Sequence, residues 1–381
     1  MDLSLSAEQE LLRATVREFA RERIAPVITG FLEREEFPLE IVRDLGKLGV
    51  LGIPFPEAWG GGGGGMATFV VCLEELARVS PSVAAIVFAH SSPATLISLF
   101  GSDRQKQQWL VPLASGRILG AIGLTEPSGG SDAAALRTRA TPEGEGWVLS
   151  GGKTFITNTG TPLSGLIVAA AATEDTERDR LSSFIIPEGT PGYVTGRKLN
   201  KIGWRAAETR EVSFQDCHLD DLALLGRRGE GLRQMLTAVT YGRICVAALA
   251  VGLATACYEL ARGYAGDRIA FGRPVAANQG IAFKLVDMAV SIEAARLLMH
   301  KAAALCDAGR PFRIEASMAK LFATEAAFEA ARQAIQIHGA YGVSLEYPVS
   351  WLLGEAKVLE IIEGTSEVQR MLLSRLLQIS D

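Results

Sequence analysis

From Leu12 onward apolar residues recur three and four positions apart, as Leu12, Val16 and Phe19 do. That spacing puts them on one face of an α-helix. Just before them, Ser6-Ala7-Glu8-Gln9 has the Ser-x-x-Gln form of a capping box, in which hydroxyl and amide each satisfy a free backbone group at the helix start. Similar patterns run through 38–49, 66–80, 84–100 and 103–115, predicting a mostly helical first part. Near Gly120 the texture changes. GWVLSGGKTFITN, SGLIVAAAAT, LSSFIIP, GYVTG and REVSFQD are short β-rich runs separated by Gly, Pro, Asn and charged turns. Helical spacing returns at Glu230 and covers 230–265, 275–308, 313–338 and 365–378. The strand-helix alternation of a doubly wound sheet is missing. The expected fold is α+β and mostly α, with a helical domain over 1–118, a β domain over 119–228 and a second helical domain over 229–381.

Composition narrows this picture. In 381 residues, 48% are hydrophobic and 21% charged, enough for a sizeable core and against wholesale disorder. The net charge of −5 is spread over mixed signs, with no basic block for nucleic acid and no acidic tail. Five scattered cysteines without a CxxC pair argue for a reducing compartment and against a disulfide framework or structural zinc. Adjacent Cys217 and His218 have the wrong spacing for a metal site and read as core and strand edge, so no metal is expected. MDLSLSAEQE has no signal-peptide pattern, and a cytoplasmic location is expected. ICVAALAVGLATACY (244–258) is short and rich in Ala and Gly for a membrane span, and reads as a buried bundle helix.

Several glycine motifs fail on context. The six glycines at 60–65 contain GxGxxG, but FPEAW precedes them and no acidic residue lies between Glu75 and Asp103, so a flexible loop is expected rather than a dinucleotide site. GWVLSGGKT has one residue too many for a phosphate-binding loop and continues into FITN rather than a helix. No serine sits in GxSxG. Two stretches carry more. GLTEPSGGSD (123–132) clusters glycines with Thr125, Ser128 and Ser131, which suits either an ordinary turn or close backbone approach to a ligand. In IIEGTSEVQR (361–370) a helical run breaks at Glu363: Gly364 can take a left-handed cap, and Ser366-x-x-Gln369 can open the next helix. Glu363 is then either a solvated cap or a carboxylate beside free N–H groups, able to take a proton from carbon while those donors hold an enolate oxygen.

Together with WVLSGGKTFITN, DRIAFGRPVAANQ (267–279), QIHGAYG (336–342) and EYPV (346–349), these stretches resemble the acyl-CoA dehydrogenase family over almost the whole chain. TYGRI is closer to the short-chain (butyryl) type. The resemblance implies an N-terminal helical domain, a middle β-barrel or sandwich domain and a C-terminal four-helix bundle, assembled as a homotetramer, a dimer of dimers. It implies bound FAD and oxidation of an acyl-CoA to the trans-2-enoyl-CoA, a step of fatty acid metabolism, with electrons passed to an electron-transfer flavoprotein. Glu363 matches the base that removes the α-proton, with the β-hydride going to flavin N5 and the carbonyl oxygen held by the Glu363 N–H and a ribityl hydroxyl. Some members place the base at the position of Gly242, where glycine cannot serve.

The resemblance also assigns further positions. Residues 122–131 match the flavin-wrapping segment, among them Ile122, Leu124, Thr125 and Gly130, with Ser131 also near the CoA pyrophosphate. Phe155, Ile156 and Thr157 match the stretch against the flavin ring. Arg268, Phe271, Gln279, Gln336 and Gly339 match contacts to the FAD pyrophosphate and adenosine, partly across a subunit interface, and Thr365 and Glu367 the final FAD contacts. Tyr241, Arg243, Gly364 and Phe88 match positions on the substrate side, with Phe88 at the pocket floor. Ala340 stands where a second glycine is usual, and Gly354-Glu355 replaces an Arg-Asp pair. An acyl-CoA oxidase using oxygen and a non-catalytic scaffold of the same fold are the competing readings.

Overall fold

A computed structural model describes residues 5–173 and 180–379; the first four residues of the N-terminal stretch lie outside the described part. The first helix, α1 (Ala7–Phe19), opens on the expected capping box: Ser6 Oγ accepts from the Gln9 N–H at 3.2 Å, and the Gln9 amide oxygen accepts from the Ser6 N–H at 3.0 Å. There follow α2 (Ile28–Arg34), α3 (Leu39–Lys47), α4 (Gly65–Val79), α5 (Pro81–Phe100), α6 (Asp103–Gln105) and α7 (Val111–Ala114). The six-glycine run before α4 is ordered, not the flexible loop its composition predicts. The N–H groups of Gly60 to Gly64 each donate to a carbonyl within residues 52–57. A Cβ at Gly61 would lie 2.2 Å from the Phe55 carbonyl oxygen, so only glycine packs there.

Among the described residues eight strands form the middle unit: β1 (Leu119–Gly123), β2 (Arg139–Glu143), β3 (Gly146–Thr157), β4 (Ser164–Ala172), β5 (Leu181–Pro187), β6 (Tyr193–Lys198), β7 (Thr209–Leu219) and β8 (Leu224–Leu225). The sheet order is β6–β7–β3–β2–β4–β5–β8, with β1 parallel to β4. Side chains alternate along a strand. Leu166, Val168 and Ala170 of β4 therefore pack with Ile97, Leu113 and Met235 of the helices, while Ile167, Ala169 and Ala171 join Phe184, Ile186 and Val212 in the β core. Burial on both faces explains why β4 reads as an unbroken apolar run.

The last part holds α8 (Gly231–Asp267), the hairpin β9 (Ile269–Ala270) and β10 (Arg273–Pro274), α9 (Gln279–Asp307), α10 (Arg313–His338), α11 (Pro348–Ile361) and α12 (Ser366–Leu376). Helices α8 to α11 pack as a bundle, with α12 against α10. The bundle is tied to the first domain by Asp307 at the end of α9, whose carboxylate accepts from the Met66 and Ala67 N–H groups at 2.6 and 2.8 Å and so caps α4. Helices α5 and α8 are long and apolar enough to cross a membrane by length and composition, but 78% of each such window is buried inside the fold. Their apolar surface is already covered, as in core helices.

Candidate active site

Helix α11 ends in extended Ile362, after which Glu363 takes a left-handed φ of 54° and Gly364 one of 92°. A glutamate rarely adopts that conformation, which persists only where its surroundings over-determine it. Three side chains do so here. Lys320 Nζ donates to the carbonyls of Glu360 and Gly364, each at 2.9 Å. Gln369 Nε2 donates to the carbonyls of Glu363 and Gly364 at 3.0 Å, and Arg243 Nε to that of Glu363 at 3.3 Å. One expectation needs correction. The N-cap of α12 is Thr365, whose hydroxyl accepts from the Val368 N–H at 3.3 Å, and not Ser366. Gln369 is therefore free of a capping box and reaches back to the joint.

The Glu363 carboxylate turns inward against Gly242 of α8. A Cβ at that position would lie 2.9 Å from both Cδ and Oε2, so glycine makes the space the acid occupies. Oε2 is buried and has no hydrogen-bond partner among the described residues. Burial pushes the acid up to about 7, against the opposing pull of Arg243 and Lys320. A solvated cap would show none of this. Arg243 is itself buried and donates to Ser317 Oγ at 3.2 Å. Tyr241 packs edge-on to Phe312 at 5.1 Å, and burial pushes its phenol up to about 12. A cleft of about 470 Å³ lies beside this stretch of α8, lined by Leu236, Thr237 and Thr240 and bearing Arg180, Arg233 and Arg313.

A second group gathers on the β domain. The Thr154 N–H donates to the Thr125 carbonyl at 3.0 Å, which joins the 123–132 turn to β3. The turn is anchored by Glu126, a residue the sequence reading passed over. Its Oε1 accepts from Lys153 Nζ at 2.7 Å and Thr138 Oγ1 at 2.6 Å, and its Oε2 from the Arg137 N–H at 2.7 Å. Burial opposes the ionised acid, but Lys153 and the Thr138 and Arg137 donors outweigh it and hold the carboxyl at about 2. Ile122, Leu124 and Thr125 are half-buried, and Gly130 and Ser131 exposed. Phe155 has φ 60° and is 66% exposed, an unusual combination for an aromatic in a strand. Ile156 points into the β core, so only its backbone is available, and Thr157 lies half-buried with its hydroxyl 3.3 Å from that of Thr209. An open aromatic face bordered by Thr125 and Thr157 suits a flat ring system with a polar edge. These residues fit a flavin.

The third group stands at the far end of the bundle. Tyr264 stacks on His338 at 4.3 Å, which brings the ends of α8 and α10 together. Arg268, Gln279, Gln336 and Gly339 are exposed there, and Phe271 sits on the hairpin turn at φ 51° with 99% of its surface open. Arg243 lies on α8 and Arg268 is the extended residue just past its end, about 37 Å apart along the helix axis at ~1.5 Å per residue. Thr365 and Glu367 adjoin Glu363, the latter exposed. Phe88 is buried, edge-on to Trp204 at 6.4 Å.

The departures also have local explanations. Glu355 is buried and accepts from Ser82 Oγ and the Trp204 N–H, both at 2.9 Å. At Gly354 a Cβ would meet the Ile202 carbonyl oxygen at 2.0 Å, so no side chain fits. Ala340 is exposed, and nothing in the structure explains it. Among the described residues no cluster of His, Cys, Asp or Glu could hold a metal.

Comparisons with known proteins match this arrangement. The family models for the acyl-CoA dehydrogenase N-terminal, middle and C-terminal domains match residues 6–117, 121–217 and 229–378. An acyl-CoA dehydrogenase of Bacillus subtilis is 43% identical, with 98% of this chain and 99% of that protein covered. A short-chain specific acyl-CoA dehydrogenase of Clostridium acetobutylicum is 41% identical over the same shares. Butyryl-CoA dehydrogenase from Megasphaera elsdenii superposes with a TM-score of 0.97 at 38% identity, covering 99% of this chain and 100% of that one. A chain from the structure "Electron transferring flavoprotein of Acidaminococcus fermentans: Towards a mechanism of flavin-based electron bifurcation" also reaches 0.97, at 37% identity and full coverage of both chains.

Proposed function

The chain belongs to the acyl-CoA dehydrogenase family, and from that premise we propose that Glu363 is the base with which it oxidises an acyl-CoA thioester to the trans-2-enoyl-CoA. It is an oxidoreductase acting on a CH–CH bond, and its family is one of flavoproteins. The observation that carries the assignment of Glu363 is its buried, unpartnered Oε2 on a strained joint. The α-proton of a thioester is weakly acidic, so a carboxylate raised to about 7 is a better match than an exposed one. Its proton moves from the substrate α-carbon to a Glu363 oxygen, and the electron pair is drawn toward the thioester carbonyl oxygen. The Glu363 N–H, which makes no backbone hydrogen bond among the described residues, would be the donor for that oxygen. FAD, when bound, supplies the acceptor for the β-hydrogen and its electrons. Thr125, Phe155 and Thr157 would face its ring, and Arg180, Arg233 and Arg313 suit the phosphates of the CoA. The test is anaerobic bleaching of the flavin against straight, branched and aromatic acyl-CoAs; no bleaching by any of them would sink the reading.

The span of α8 supports assembly from more than one copy. Arg268 stands about 37 Å from Arg243 along the α8 axis, at ~1.5 Å per residue, so Arg268, Phe271, Gln279, Gln336 and Gly339 would in part complete the site of a partner subunit, within the homotetramer the family resemblance implies. Phe283, Val286 and Val290 leave an apolar stripe on α9 that such packing would cover. Arg268→Ala is expected to purify with depleted FAD and a weakened oligomer. Loss of one charged hydrogen bond to phosphate corresponds to about 10- to 100-fold weaker binding. Flavin absorbance per subunit and light scattering read both effects, and full FAD occupancy in the variant would remove the assignment.

Short or short-branched acyl groups are the expected substrates, because the bulk of Phe88 against Trp204 would close a pocket floor. A preference for chains of about twelve carbons or more, a length equivalent to roughly ten helical residues at ~1.5 Å each, would count against that role. Homology to a chain from a structure of an electron transferring flavoprotein supports such a protein as the electron acceptor. Five unpaired cysteines support a reducing, cytoplasmic setting.

A further inference from the structure

Lys320 is wholly buried, yet the two acceptors its ammonium finds are the carbonyls of Glu360 and Gly364. Burying an ammonium is costly unless its partners are well placed. These partners bracket Glu363: Glu360 lies in the last turn of α11, where the helix dipole favours a cation, and Gly364 just beyond the joint. Gln369, also wholly buried, approaches the same joint from α12 and grips the Glu363 and Gly364 carbonyls. Two donors on different helices thus fix the carbonyls on both sides of a glutamate whose own φ is left-handed. We infer that Lys320 and Gln369 are positioning residues, which hold the Glu363 joint in its strained conformation and keep its carboxylate aimed at the substrate α-carbon. The inference rests on Glu363 being the base.

Lys320 also acts through charge. The groups around the Glu363 carboxylate are Arg243 and Cys245 from α8 and Lys320 from α10; Arg313 faces Arg243, and Glu325 and Glu360 face Lys320. Glu360 is paired with Lys357, and Glu325 with Arg370, each at 2.7 Å. Arg243 and Lys320 are thus the cations bearing directly on Glu363. Burial lowers Lys320 to about 8, still above the value of about 7 to which burial raises Glu363, so it is mostly charged at the Glu363 midpoint. Without it the acid rises further, and a higher pH is needed to free the base. Gln369 carries no charge and lacks this effect.

The experiment compares Lys320→Met, Gln369→Leu and Glu363→Gln with wild type as full-length, flavin-loaded proteins. Anaerobic reduction is followed by stopped flow across pH. Both positioning variants should lose about 10- to 100-fold in limiting rate with acyl-CoA affinity little changed, the scale expected for a misplaced reacting group. Only Lys320→Met should also move the acidic limb of the profile upward, by about one pH unit. Infrared titration of the Glu363 carboxyl, with Glu363→Gln as the blank, should move in the same direction without turnover. A Lys320→Met enzyme with wild-type rate and midpoint overturns the inference, as does one that merely melts lower. If Lys320→Met does not fold, Lys320→Gln keeps an amide donor and should show the same pH shift with a smaller loss of rate; an unshifted profile overturns the charge effect. Normal reduction of Glu363→Gln would instead overturn the base assignment itself, so the two failures are distinguishable.

Discussion

Glu363→Gln is expected to fold, bind FAD and bind acyl-CoA, and to leave the flavin oxidised when substrate is added anaerobically. Gln is nearly isosteric, and the backbone N–H at position 363 is unchanged. Oε2 of the native acid accepts no hydrogen bond, so the substitution breaks none there. What is lost is a basic oxygen, and removal of a general base costs about 10²–10⁴-fold, more where no water can substitute. Reduction by the wild type should rise with pH through about 7, because burial holds the acid there and only the ionised form accepts the proton. Stability should behave in the opposite sense. An acid whose folded-state value is raised favours its neutral form, so its contribution is present below the unfolded value of 4.5 and is lost as pH rises through about 7. The Gln variant should therefore gain stability relative to wild type above pH 7. A helix cap would give modest destabilisation with rates intact. Stopped-flow reduction beside melting curves at two pH values separates these outcomes, and near-normal reduction would place the base elsewhere.

The joint at Glu363 was legible because a helical period breaks there, and a break with an acid, a glycine and two hydroxyls is locally distinctive. Which hydroxyl caps was not, since Thr365 and Ser366 are both competent and boundaries shift by a residue. Lys320 left a signal that was open to reading. It falls on the buried stripe of α10 with Ala316, Ala323 and Ala327, where a lysine has no reason to be unless it meets a partner. The partners, however, are two carbonyls 40 and 44 residues away, which no local pattern encodes. The six-glycine run failed differently. Its composition implies freedom, but its N–H groups find acceptors in residues 52–57, a consequence of how that stretch folds back. Short α2 lies within a stretch to which the periodicity assigned no helix, whereas long α8 and α10 carried many turns of the period.

Lys153→Met is expected to strip the protein of much of its flavin although Lys153 matches no cofactor contact. Its ammonium is wholly buried and pairs with Glu126, which is 4% exposed and lies inside the GLTEPSGGSD turn. Removing one partner of a buried pair leaves the other charge desolvated, at a cost of about 3–5 kcal/mol. Here the Thr138 and Arg137 donors remain, so the lower end of that range is expected. The turn bearing Thr125 should loosen, since Glu126 is what ties it to residues 137, 138 and 153. Flavin content should then fall together with the melting temperature. Adding Glu126→Gln to Lys153→Met removes the stranded charge and should recover part of the stability, while the loosened turn still binds flavin poorly. That split is the informative result. It would assign the pair two separable effects, the electrostatic one relieved by the second substitution and the positional one not. If Lys153→Met keeps wild-type flavin content and melting temperature, the turn is held by its backbone alone and Glu126 is not its anchor.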